Sequence, residues 1–316
     1  MAGTTATRPH RILVGYVATD YGRDALNLGI SLARQGQAEL HVVIVAPQDI
    51  VYSGIYPHDR GYSSILEEQL GQWLREGLDG VPEDISAVGH VVAGDSEAQA
   101  LVKAAQELDC AMIVVGAREG GVLSRFRVGS VASALLHSSP VPVALAPHGH
   151  QSELGVTRLS CMFGSKPGAG DVIGLSVEAA RRREIPIRLV SLLLVGQLDD
   201  DEIDEDTRAL NLGVLRSVTE YGNGRLGELA QEMVASGAAT TQVVAGRTVE
   251  RAIEDLDWED GEIAVVGSSR LASRGRMFLG ATAAKMLRSI PVPMVVVPAG
   301  DASGDPVRRD SSESES

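Results

Sequence analysis

Residues 111–146 read AMIVVGAREGGVLSRFRVGSVASALLHSSPVPVALA, and residues 263–297 read IAVVGSSRLASRGRMFLGATAAKMLRSIPVPMVVV. Side by side they are one pattern written twice: a β-branched run ending in glycine, a loop with arginines, a glycine before a helical segment, and a Pro-Val-Pro entry into a second β-branched run. Gly116 and Gly267, Gly129 and Gly280, and Pro140 and Pro291 are each 151 residues apart, and the upstream Gly94 and Gly246 are 152 apart. So constant an offset implies two copies of one unit of about 150 residues, an ordinary domain size. The chain therefore reads as a tandem duplication, with residues 11–150 and 151–300 as two domains. Residues 1–10 are expected to be a flexible N-terminus, and 301–316, acidic and serine-rich with Val307 as the only large apolar side chain, a disordered tail.

Within each copy, short β-branched runs alternate with segments of helical period, the pattern of βαβ units and a parallel sheet. In the first copy the strands are expected at 12–17, 40–46, 88–93, 112–115 and 142–146. Helices are expected at 20–34, 65–78, 97–108 and 130–137, the first turning Ala25, Leu28, Gly29 and Leu32 toward the sheet. The second copy places strands near 159–162, 188–194, 241–245, 263–266 and 293–297. Prolines at both ends of the last strand suit a sheet edge.

The 316 residues carry 28 basic and 42 acidic side chains, a net charge of −14, and only 3% aromatics, so the core is aliphatic. That balance argues against nonspecific nucleic-acid binding and general attachment to anionic membranes, both of which need a positive field. No stretch approaches the ~18 apolar residues of a spanning helix, and no signal-type apolar segment opens the chain, so no membrane insertion and a cytoplasmic location are expected. Cys110 and Cys161 fit no metal or redox spacing, in keeping with a reducing compartment.

In an open parallel sheet, ligands bind beyond the carboxyl ends of the strands at the switch in strand order. The loop after the fourth strand, 116–130, reads GAREGGVLSRFRVGS. Gly116, Gly120 and Gly121 allow tight turns and close approach to a ligand, while Gly129 and Ser130 open a helix whose free N–H groups favour an anion. Arg118, Arg125 and Arg127 place three positive charges within ten residues of an acidic protein. The combination suggests phosphate binding; on spacing alone, a solvated turn with solubilising arginines remains open.

The run VVGAREGGVLSRFRVGSVASALLHSSPVPVALAP resembles the C-terminal signature of the universal stress protein family, whose nucleotide-binding members carry G-x2-G-x9-G-[ST] and end in a similar PVPV strand. The resemblance extends over 11–147 and 157–298 and includes GDSEAQALVKAA at Gly94 and GRTVERAIEDL at Gly246. It implies an α/β fold of two repeated open parallel-sheet domains, Rossmann-like and similar to the adenine nucleotide alpha hydrolases. It also implies that the last strands, 142–146 and 293–297, meet and pair the domains face to face or edge to edge. The implied function is stress-response regulation with ATP or another adenine nucleotide as ligand, Mg only alongside ATP, and at most slow hydrolysis.

On this sequence the motif falls on Gly116, Glu119, Gly129 and Ser130 in the first copy, and on Gly267, Arg270, Gly280 and Ala281 in the second, with Thr282 one residue on. Glu119 stands where the second glycine belongs. The family's aspartate at the end of the first strand is replaced by Val17, and in the second copy by Phe163 or Gly164, while Asp20 reads as a helix cap. The nucleotide contacts implied are Gly116, Arg118, Gly120, Gly121, Arg125, Arg127, Gly129 and Ser130, with Gly267, Gly280 and Thr282 in the second copy. No catalytic or metal residue is assigned. These departures keep a second reading open, a scaffold that binds no nucleotide and presents its duplicated domains to a protein partner.

Other features read more simply. All seven histidines lie in the first half, so no repeat-related catalytic histidine exists; His148 and His150 read as linker rather than metal clasp, and His137 as a helix C-terminal cation. The acidic run 199–206 lacks the spacing of a calcium loop. No GxSxG, HExxH, Walker A or GxGxxG motif assigns a reaction, and GYVATDYG after the first strand is no adenylating-enzyme phosphate loop.

Overall fold

The computed structural model describes residues 10–47, 60–117, 129–151, 155–164, 169–194, 205–268, 277 and 279–298. The expected acidic tail and nearly all of the expected flexible N-terminus lie outside these residues. The first half runs β1 (Arg11–Gly15), α1 (Asp20–Gly36), β2 (Glu39–Pro47), α2 (Arg60–Asp79), β3 (Ala87–Gly94), α3 (Glu97–Glu107), β4 (Met112–Gly116), α4 (Ser130–Ser138) and β5 (Val143–Ala146). The second runs β6 (Arg158–Met162), α5 (Ala169–Arg183), β7 (Ile187–Leu194), α6 (Glu205–Leu229), α7 (Gln231–Ala235), β8 (Ala239–Gly246), α8 (Val249–Glu254), β9 (Glu262–Gly267), α9 (Ala281–Ser289) and β10 (Met294–Val297).

The strands form one open sheet in the order β3-β2-β1-β4-β5-β10-β9-β6-β7-β8. Every neighbouring pair is parallel except β5 and β10, which run antiparallel with Val143 opposite Val296 and Leu145 opposite Met294. Each half repeats the same strand order outward from this seam, so the two repeats meet edge to edge. Pro142 and Pro293 lie just before the two strands and restrict ladder pairing there; past them each edge is covered by the other repeat. The seam residues 143–145 and 294–296 are at most 6% exposed, so separating the halves would open a core rather than a surface.

Alternation along the strands sorts the side chains into two layers. Ile12, Val14, Leu40, Val42, Val265 and Val295 face α1, α2, α5 and α6. Leu13, Ile113, Leu145, Val266 and Val296 face α3, α4, α8 and α9. Strands covered on both faces read as continuous aliphatic runs, which explains MIVVG in β4 and EIAVVG in β9. In α1, Ala25, Leu28 and Leu32 are at most 4% exposed, as their spacing predicts. The cap differs from expectation: Thr19, not Asp20, is the N-cap, its Oγ1 accepting from the Gly22 N–H at 3.4 Å. Asp20 is the first-turn acid and pairs with Arg23 on the surface.

Gly94 and Gly246 owe their place to packing. A Cβ on either would lie 2.7 or 2.8 Å from the methyl group of Ala100 or Ala252, where α3 and α8 close onto the strand ends. Cys110 and Cys161 are buried free thiols, pushed by desolvation to pKa values of about 11 and about 12, hence protonated and unreactive. No described helix is long and apolar enough to cross a membrane.

Candidate functional site

The switch in strand order of the first half lies between β1 and β4, whose crossovers leave in opposite directions. Beyond β1 the chain passes Tyr16 and Val17 and turns at Thr19 into α1. That turn sits on the end of β4: a Cβ on Gly116 would fall 1.9 Å from the carbonyl oxygen of Tyr21. Gly116 therefore lets the backbone of α1 approach closely. In the second half, the nearest described atom to a Cβ on Gly267 is the Cβ of Val172, at 3.5 Å, so the corresponding contact is looser.

The helices after these strand ends carry the other half of the motif. Gly129 caps α4 with φ −68° and ψ 170°, and Gly280 caps α9 with φ −69° and ψ 163°. Neither helix has a side-chain cap bond. By contrast, Thr19, Ser96 and Thr248 accept first-turn N–H bonds at α1, α3 and α8. The two repeats thus present matched helix N-termini whose capping glycines supply no side-chain acceptor to the first-turn N–H groups, a positively polarised end in each. Ser130 is the first residue of α4, Ala281 takes that place in α9, and Thr282 follows; all three side chains are exposed.

Gly116, Gly129, Ser130, Gly267, Gly280 and Thr282 are therefore placed at strand and helix ends. Arg118, Gly120, Gly121, Arg125 and Arg127, together with Glu119, lie outside the described residues, as do Arg270, Arg274 and Arg276. Val17 is half-buried, and Phe163 is buried and stacks on Tyr221 with ring centroids 6.1 Å apart.

Sequence reasoning did not find two polar clusters. Glu262, fully buried, holds Arg158 and Arg188 on the sheet face opposite α5. The other cluster pins the linker between repeats: Gly149 N–H donates to Asp24 Oδ2 at 3.0 Å, and Asn27 Nδ2 donates to the His150 carbonyl at 2.8 Å. His148 Nδ1 lies 3.5 Å from Asp24. His148 and His150 thus sit between β5 and β6 on a segment tied to α1, and the described residues contain no group of three or more His, Cys, Asp and Glu arranged for a metal.

The linker supports a pH prediction. His150 Nε2 is buried without a hydrogen-bond partner among the described residues, and burial lowers the imidazole pKa from 6.5 to about 4. Between those values the unfolded chain takes up a proton that the folded protein refuses. The His150 contribution to stability is thus complete above pH 6.5 and falls as pH drops toward 4, at about 1.4 kcal/mol per pH unit. Asp24, whose carboxyl burial raises in pKa, opposes this trend. In urea unfolding, His150→Gln should lose stability less steeply than the wild type over this acidic window; parallel slopes would show that the imidazole is solvated.

A family model described as the universal stress protein family matches residues 9–147 and 164–298. A universal stress protein of Mycobacterium tuberculosis is 30% identical over 292 residues, covering 91% of this chain and 99% of that protein, and one from Mycobacterium bovis gives the same values. Among solved structures, a universal stress protein from Archaeoglobus fulgidus aligns with a TM-score of 0.62 at 17% identity, over 93% of this chain and 100% of that one. A functionally unknown protein from Pseudomonas aeruginosa aligns at 0.56 and 18% identity, over 92% and 93%. At these identities the solved structures speak to the fold alone.

Proposed function

The chain belongs to the universal stress protein family, and on that premise we propose that it is a cytoplasmic stress-response regulator that binds an adenine nucleotide in its first domain, 11–150, more tightly than in its second, 151–300. The observation that carries the reading is the matched pair of helices, α4 and α9, each opened by glycine without a side-chain cap. Free N–H groups and the helix dipole together favour phosphate oxygens. Ser130 adds a hydroxyl at the start of α4 that Ala281 cannot supply to α9. In this reading Gly116, Arg118, Gly120, Gly121, Arg125 and Arg127 complete the first phosphate loop, and Gly267, Gly280 and Thr282 remain of the second. Mg enters only with ATP, through its phosphates. With Val17 in place of a carboxylate, the base is held by shape and apolar contact.

Titration calorimetry with ATP, AMP and cyclic AMP tests this. Losing one hydrogen bond to a charged group costs about 1.5–3 kcal/mol, one to two decades in affinity. Gly129→Val should remove the tighter site and Gly280→Val should leave it. Arg125→Ala with Arg127→Ala should weaken binding, and Glu119→Gln should strengthen it. If no nucleotide binds, or only Gly280→Val abolishes binding, the nucleotide reading fails and the scaffold reading replaces it.

A further inference from the structure

A cavity of about 460 Å³ lies between α1 and α5, over the strands that join the two repeats. Its floor is aliphatic: Ile12 and Met112 from the first repeat, and Val265, Val295 and Val297 from the second. Leu175 lines it as well, yet is 47% exposed. No Phe, Tyr or Trp is among the described lining residues and the one ring there, the His10 imidazole, is engaged by Arg182, so the walls suit a flexible alkyl chain.

One end is basic. Arg182 and Arg183, from the last turn of α5, reach this end together with His10. No Asp or Glu is among the described lining residues, in a chain with 42 acidic side chains. Arg182 Nη1 lies 2.8 Å from His10 Nε2. The Arg183 guanidinium packs on Gly36, and its one hydrogen bond among the described residues goes to the Leu32 carbonyl at 3.5 Å, the outer limit for such a bond. Four of its five N–H donors are thus without a described partner. Burial, and then the charge of Arg182, push its pKa down, as expected of a shielded cation with no ion pair among the described residues. Buried charges in proteins are ordinarily paired.

We infer that this cavity binds a free fatty carboxylate, its chain on the aliphatic floor and its head on the Arg183 guanidinium. The planar fork of arginine matches a carboxylate bidentately, and the volume lies within the ~300–1,000 Å³ of small-molecule pockets. The site is separate from the N-termini of α4 and α9, so it stands or falls independently of nucleotide binding.

Dodecanoate titrated into the full chain by calorimetry is the test. One dodecanoate should bind per chain, with affinity unchanged by saturating ATP. Dodecylamine, with the same tail and opposite charge, should not bind, and butanoate should bind at least about tenfold more weakly. Arg183→Met should weaken dodecanoate binding by about tenfold or more, and Ala179→Phe, which fills one wall, should do the same, with thermal melts showing that both variants fold. Equal binding of dodecylamine, undiminished binding by Arg183→Met, or the absence of saturable binding would overturn the assignment. So would sedimentation of the protein with phosphatidylglycerol vesicles, which would make the arginines a membrane contact instead.

Discussion

Glu262→Ala should destabilise the chain by about 3–5 kcal/mol, the penalty for stranding a buried cation. The carboxylate is fully buried and accepts from Arg188 Nη2 at 2.8 Å, from Arg158 Nη2 at 2.6 Å and from the Glu259 N–H at 3.0 Å, with the Ser160 hydroxyl also in contact. Arg188 is committed in every direction, donating to Ser160 Oγ and Gln242 Oε1 and lying 5.5 Å over the Trp258 ring. Removing the carboxylate leaves the shielded Arg188 guanidinium without a counter-charge among the described residues, while Arg158 keeps its ion pair with Glu259. Strand register puts Leu13, His41 and Ala111 of the first repeat where Ser160, Arg188 and Glu262 stand in the second, so the fold itself does not require the charges. A variant carrying Ser160→Leu, Arg188→Leu and Glu262→Ala together should therefore be less damaged than Glu262→Ala alone. Guanidinium unfolding of the variants checks this; a loss below about 1 kcal/mol for Glu262→Ala would mean that water reaches the cluster.

Gly116→Ala should be as severe, at about 3 kcal/mol or more, the upper range for overpacking. The added methyl would sit 1.9 Å from the Tyr21 carbonyl oxygen and 2.7 Å from its carbon, and backbone yields only if the start of α1 lifts from the sheet. Gly267→Ala meets ordinary contact at 3.5 Å and should change stability by less than about 1 kcal/mol. Thermal unfolding of the two variants separates the roles of the glycines. If Gly116→Ala melts normally but no longer binds nucleotide, the glycine serves ligand approach rather than chain packing.

The repeat was legible because a parallel sheet writes its periodicity locally: the central residues of AMIVVG and IAVVG, Ile113–Val115 and Ile263–Val266, are buried whichever face they point to, and a Pro-Val-Pro segment leads into each seam strand. The same prolines and the implied pairing of the last strands left face-to-face and edge-to-edge meetings both open, and the β5–β10 ladder makes it edge to edge. Long-range contacts left no local trace. Glu262 reads as an ordinary acid before a strand, since Ser160 and Arg188 lie 102 and 74 residues away. Gly116 could be read as a ligand-facing turn because nothing nearby in sequence announces the approach of Tyr21. Thr19 and Asp20 are both good caps, and only the backbone decides which one turns its oxygen to the helix. Of the candidate site, the helix starts at Gly129 and Gly280 were legible in the sequence, whereas the arginine loops between strand and helix lie outside the described residues.

The most direct measurement is native mass spectrometry of the full chain equilibrated with ATP, alongside Gly129→Val and Gly280→Val. The account predicts one adenine nucleotide per chain at low ligand concentration, retained by Gly280→Val and lost by Gly129→Val. A bare mass for the wild type at every concentration, or an adduct lost only by Gly280→Val, would contradict it.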